Sequence, residues 1–199
     1  MKTRFINLFG APGVGKSTIA AGIYSKLSAR GWNIELVPEF AKELVWESNA
    51  SALSNQAYVT ARQFYMIHRL DGKCKWVVTD SPAFLGAAYC LEHHPQCYID
   101  TLKWYHDQTN SDLNYLISRD ESTKFRQAGR VHSEYQSEVI QMRIESLLST
   151  NKIEYTEYDN TNAIHHIVED IMSIEDDEKE MILKETIIED VAILGGEND

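Results

Sequence analysis

Short apolar runs alternate along this chain with longer segments in which apolar residues return every three or four positions. Arg4–Phe9 is a short apolar run bounded by glycine, the mark of a buried strand. Lys16–Ala29 has helical spacing and ends before Gly31, a stop signal. "NIELVPEF" predicts a second strand ending near Pro38, and "AKELVW" a short helix. Asn49–Leu53 reads as a polar break, followed by a helix over Gln56–Leu70. "KWVVTDSP" is a third strand stopped by Pro82, and "AFLGAAYCLEHH" and "CYIDTLKWYHDQ" are helical. "LNYLIS" is a fourth strand and "RDESTKFRQAGR" an aperiodic loop. A helix follows from Ser133 to Leu148, then a fifth strand "KIEYTEYD" and a closing helix "NAIHHIVEDIMSI". Strands that alternate with helices in this way predict an α/β fold: a five-stranded parallel sheet with helices on both faces.

The turn after the first strand carries the first candidate chemistry. Gly10-Ala11-Pro12-Gly13-Val14-Gly15-Lys16-Ser17 fits the GxxxxGK[ST] pattern, with a strand leading in and a helix leading out. Glycines at 10, 13 and 15 allow a tight turn that brings N–H groups to phosphate oxygens. The helix starting near Lys16 aims its positive end at the same oxygens. Lys16 is expected to reach the terminal phosphates and the Ser17 hydroxyl to ligate Mg2+. Thr18 is either helix structure or a secondary phosphate contact. The pattern therefore predicts a P-loop NTPase fold.

Composition narrows the class. The 199 residues suit one domain with a sizeable core. No apolar run approaches the roughly 20 residues a membrane span needs, and the N-terminus turns into the glycine loop too early for a secretory signal. Cys74, Cys90 and Cys97 have no CxxC spacing, which suggests buried thiols in a reducing cytoplasm. The net charge is −11, of which −8 falls in residues 175–199, so the chain divides into a core domain, 1–174, and an acidic tail, 175–199. The core is too weakly charged to present a broad basic face, so a duplex nucleic acid partner is not expected. In the tail, Leu183, Ile187, Val191 and Leu194 lie about one helical turn apart. That pattern fits a helix docked on its own domain, a homodimer contact, or a mobile tail.

Three kinds of phosphate-loop protein compete. A GTPase switch needs a DxxG turn after the third strand and an NKxD base reader. Here the third strand ends in "TDSPA" and NKxD is absent. A ring-forming motor needs a helical lid domain for which little chain remains. A small phosphotransferase needs carboxylates at the sheet's carboxyl edge, and Glu39 and Asp80 stand at the ends of strands two and three. One would hold magnesium and the other would orient or deprotonate an acceptor hydroxyl. The alternative for each is a helix N-cap or a surface acid.

These residues resemble a known family. "LVPEFAKELVW" looks like the segment after strand two of deoxynucleoside kinases, where a similar glutamate activates the acceptor hydroxyl. The arrangement over about residues 4–160 is closer to the NadR-like, ribosylnicotinamide-kinase type of P-loop AAA ATPase found in many bacteriophage ATP-binding proteins. The matching elements are the glycine loop, Glu39-Phe40-Ala41, Asp80-Ser81-Pro82 and the stretch Phe125 to Glu134 containing Gly129-Arg130 and His132. The resemblance implies a cytoplasmic kinase using ATP and Mg2+, with a small-molecule acceptor. It also implies a kinase-type lid between strand four and the next helix, where Arg119, Lys124, Arg126 and Arg130 would close on the phosphates. By a more distant resemblance to nucleoside and thymidylate kinases, whose corresponding helix lines the acceptor pocket, Arg62 and Gln63 are candidates to read the acceptor, while Tyr65 and Arg69 are as readily core and surface residues. Phe40, Trp46 and Phe84 are either stacking partners for a base or core aromatics. Ser133 with Gln136 fits a capping box, and His132 is either a ligand contact or part of the loop. The histidine pairs at 93–94 and 165–166 lack the ligands that would complete a zinc site.

Three functions follow: a kinase of a nucleoside, nucleotide or ribosyl compound; a kinase of a modified base or 5′ end in DNA; and a regulatory ATP-binding NTPase that acts through a partner of its tail.

Overall fold

The structure is a computed structural model that describes residues 2–90, 94–109, 113–120, 122–123 and 133–195, with side chains through 181. Five parallel strands, β1 (Arg4–Phe9), β2 (Ile34–Val37), β3 (Trp76–Thr79), β4 (Leu113–Ser118) and β5 (Thr156–Asp159), form one sheet in the order β2-β3-β1-β4-β5. Register is set by pairs such as Phe5 with Val77 and Leu8 with Tyr115. The helices are α1 (Lys16–Ser28), α2 (Phe40–Trp46), α3 (Ala50–Ser54), α4 (Gln56–His68), α5 (Gln96–Asp107), α6 (Glu134–Thr150) and α7 (Ala163–Gly195). Because β1 is central and its neighbours come from later in the chain, the sheet has its switch point beside β1, where α/β sheets bind ligands.

The strands are apolar because the sheet is covered. Phe5, Val37, Phe40, Leu44, Val59, Ile67 and Val77 form one buried cluster that joins β1, β2 and β3 to α2 and α4. Phe9, Phe84, Leu102, Leu116, Ile144 and Leu148 form a second, built by β1 and β4 with α5 and α6. Helix α1 packs against β1, β2 and β3. Two buried asparagines are satisfied in series across the sheet: Asn7 donates to Asn114 Oδ1 at 3.0 Å, and Asn114 donates to the Glu154 carbonyl at 3.0 Å.

Three local readings differ from the structure. The expected helix after Pro82 is a 3-10 segment, Ala83–Tyr89, with i→i+3 bonds such as Leu85 N–H to Pro82 O. Its tightness fits its surroundings, since a Cβ on Gly86 would lie 2.2 Å from Thr60 Cγ2 of α4. The polar break at 49–53 is largely helix α3, because Asn49 caps it by accepting from Ala52 N–H, and Asn55 caps α4 in the same manner. Cys74 and Cys90 are buried as expected, but Cys97 is exposed. Ser133 and Gln136 form the expected capping box at the start of α6.

The chain divides into two compact units, Met1–Ile164 and His165–Asp199. In the second, the helix runs unbroken through the boundary expected after residue 174. His165 and His166 both approach the Glu169 carboxylate, at 3.3 and 3.6 Å. No described helix is long and apolar enough to cross a membrane.

Candidate active site

The glycine loop leaves β1 at Gly10, whose φ of +141° is costly for any side chain. A Cβ there would also sit 2.6 Å from the Ile117 carbonyl of β4, so the close passage of β4 requires glycine. The loop delivers the chain to α1 with Gly15 at the N-cap and no side chain capping the helix. The first amides of α1 therefore meet no capping side chain and can serve an anion. Lys16 Nζ donates to the carbonyls of Gly10 and Ala11, at 2.7 and 2.9 Å, placing its ammonium inside the loop.

Two residues of α6 that sequence reasoning did not single out hold this loop from outside. Gln141 Oε1 accepts from Ala11 N–H at 2.8 Å, and Ser137 Oγ donates to the Pro12 carbonyl at 2.7 Å. Their sequence signal is faint: polar residues four apart on a helix otherwise read for its apolar period. Asn160, just past β5, lies beside the loop at Gly15. Its Cβ lies 3.8 Å from the position a Cβ on Gly15 would take, and its Oδ1 accepts from Asp120 N–H at 3.0 Å. Its turn is built by Asp159, whose carboxylate accepts from the Thr161 and Asn162 side chains and N–H groups and is held down at a pKa of about 2 by those bonds, the Thr161 side chain first.

A cleft of about 780 Å³ opens from the loop. Gly13, Gly15, Lys16, Ser17 and Thr18 line one part of it, and Glu39, Gln56, Thr60, Gln63 and Tyr89 line another. Glu39 occupies the N-cap position of α2, yet its side chain makes no capping bond. Gln63 is buried in α4 and brackets Glu39 from behind. Its Oε1 accepts from Phe40 N–H at 2.9 Å and its Nε2 donates to the Pro38 carbonyl at 3.3 Å. Tyr89 closes the same region; burial, then the nearby Glu39 charge, push its phenol well above the usual range. The cleft wall is braced by Gln56, which donates to Gly86 O at 3.1 Å, and by Thr60, whose hydroxyl meets Tyr98 Oη at 2.6 Å.

Asp80 follows the last residue of β3 and is 3% exposed. Its Oδ1 is buried with no hydrogen-bond partner among the described residues. A buried carboxylate oxygen of this kind calls for a cation or its water. Among the described residues no cluster of three or more His, Cys, Asp or Glu forms a protein-only cage. Ser17 lines the cleft, and Asp80 stands at the end of β3 next to Ser81, which lines it too.

Several expected site residues stand elsewhere. Phe84 is 2% exposed and packs in the core beside His106, and Phe40 is a core residue whose contribution to the cleft is its bond to Gln63. Arg62 is exposed, with its guanidinium 5.9 Å from the Phe40 ring centroid and 5.4 Å from that of Tyr65. Gln63 does line the cleft, but its amide serves the backbone around Glu39. Arg119 pairs with Glu134 at 2.8 Å and approaches Glu138 at 3.9 Å. Lys124, Arg126, Arg130 and His132 lie outside the described residues.

A family model described as an AAA domain matches residues 5–163. The chain belongs to this AAA domain family. No curated protein sequence matches it. Among solved structures, this AAA domain is similar to thymidylate kinase from Candida albicans. The two share 16% identity with a TM-score of 0.60, over 89% of this chain and 93% of that one. It is also similar to the NadR protein solved with NAD and AMP-PNP, at 14% identity and a TM-score of 0.58, over 86% of this chain and 49% of that one. The fold is thus one shared with thymidylate kinase and NadR, in agreement with the resemblance read from the sequence.

Proposed function

We propose that this AAA domain is an ATP- and Mg2+-dependent phosphotransferase acting on a nucleoside, nucleotide or ribosyl-type small molecule, with the chemistry assigned to residues 1–174. The observation that carries the reading is the continuous cleft that runs from the glycine loop to the bracketed Glu39. A nucleotide's phosphates and an acceptor group can meet there.

In this reading the amides of residues 13–18 and Lys16 hold the β and γ phosphates, and Glu39 accepts the proton of the acceptor hydroxyl as its oxygen bonds to the γ phosphorus. The bond from γ phosphorus to the bridging oxygen breaks, and ADP leaves with that electron pair. Ser17 and Asp80 would hold magnesium, which would supply charge neutralisation for the transferred group. Arg126 and Arg130 are assigned to the closing lid, and Arg119 to the edge of the nucleotide site. NadR, of which this chain covers 49%, was solved with NAD and AMP-PNP, so a protein that shares this fold binds an ATP-like nucleotide.

The experiment is a panel of nucleosides, nucleotides, ribosyl compounds and oligonucleotides incubated with γ-labelled ATP. Label on a small molecule supports the proposal. Label only on an oligonucleotide 5′ end moves the reading to DNA ends, and label released only as phosphate moves it to a regulatory NTPase.

A further inference from the structure

We propose that α6 is a built-in brace for the phosphate loop, with Ser137 and Gln141 as the positioning residues that hold the loop in its nucleotide-accepting shape. The proposal rests on the kinase reading only as far as nucleotide binding.

Residues 134, 137, 138, 141 and 145 follow one another at helical spacing along one side of α6. All of them make polar contacts in a single line. Glu134 and Glu138 approach Arg119 at the end of β4, at 2.8 and 3.9 Å. Ser137, 4% exposed, donates to Pro12 O, and Gln141 accepts from Ala11 N–H. Gln141 Nε2 donates to Glu145 at 3.2 Å, which fixes the oxygen of the amide toward the loop. Ile144 and Leu148 of the same helix are buried in the core, so α6 cannot slide along the loop without losing packing.

The loop's backbone groups thus divide. The carbonyls of Gly10 and Ala11 go to Lys16, the Ala11 N–H to Gln141, and the Pro12 carbonyl to Ser137. The first three loop residues are tied within the protein, and the uncapped start of α1 is left to face phosphate. A loop that had to order itself around each nucleotide would bind more weakly, by the fraction of time it spends in the competent shape. The brace removes that loss in advance.

The test uses the full chain. Gln141→Met keeps side-chain length and removes the acceptor, while Ser137→Ala removes the donor. ATP affinity is measured by direct titration beside the thermal midpoint, with the exposed neighbour change Met142→Gln as control. Gln141→Met and Ser137→Ala are expected to weaken ATP about tenfold, and Met142→Gln not at all. With a labelled acceptor, KM for ATP should rise by the same factor while kcat at saturating ATP is retained. That split is one a general loss of packing would not produce. ATP binding as tight as wild type in both variants would overturn the brace. If neither variant folds, amide exchange in the wild type decides: the Ala11 amide should be protected, and exchange at the rate of an open loop overturns the proposal. ATP affinity that responds while no acceptor gains label leaves the brace standing and removes the kinase reading. An acceptor that gains label while both variants bind ATP normally does the reverse.

Discussion

Gln63 accepts a hydrogen bond from the backbone N–H of Phe40 at 2.9 Å, fixing the peptide that follows Glu39 to the buried face of α4. The second bond, from Gln63 to Pro38 O, fixes the peptide that precedes it. Glu39 is thereby aimed by a residue one helix away.

Gln63→Leu should leave a buried N–H without its acceptor, at a cost of about 1–3 kcal/mol. It should also lower acceptor turnover, because the Glu39 backbone is no longer held. Gln63→Glu keeps an oxygen for Phe40 N–H and should retain more of both. Thermal midpoints and acceptor kinetics of the two variants check this. Equal losses would show that the bond to Phe40 is not what matters.

Gly10→Ala places a Cβ 2.6 Å from the Ile117 carbonyl at a φ of +141°. The strand pair β1–β4 must then part or the loop must turn differently. We expect a loss of roughly 1–3 kcal/mol in stability and loss of measurable ATP binding. Calorimetric unfolding and nucleotide titration read the two effects separately.

His106 predicts a pH dependence. Burial, then the Lys103 charge, lower its pKa to about 4, while Asp107 acts the other way. The ring packs edge-on to Phe9, with centroids 6.0 Å apart, and is 6% exposed. The unfolded chain takes up a proton near pH 6.5 and the folded chain only near 4, so the unfolded state binds more protons between these values. Its contribution is complete above about pH 6.5 and is lost as pH falls toward 4. The total is about 3 kcal/mol. Denaturant unfolding from pH 7 to pH 4 should show this slope, and His106→Gln should flatten it.

Much of this was legible in the chain itself, for identifiable reasons. Arg4–Phe9 and Leu113–Ser118 are buried on both faces and so read as continuous apolar runs. The loop from Gly10 to Ser17 is local in sequence, and its chemistry follows from backbone geometry alone. Gln63 was legible as a cleft residue but not in its role, because its partners are 23 and 25 residues away and depend on how α4 docks. Ser137 and Gln141 reach a loop more than 120 residues earlier in the chain, and no local period encodes such a contact. Phe84 reads as a possible base platform because an aromatic after strand three carries no sign of which way it faces. The 3-10 winding of Ala83–Tyr89 places it in the core.

In the proposed reaction, Glu39 and the glycine loop act on one phosphoryl group in one cleft. The most direct measurement is transfer of label from γ-labelled ATP to the acceptor panel by wild type and by Glu39→Gln, with ATP affinity measured for both. Wild type is expected to label an acceptor, and Glu39→Gln to lose at least about a hundredfold in transfer with ATP affinity unchanged. Equal labelling by the two proteins, or release of the label only as free phosphate, would contradict that reaction.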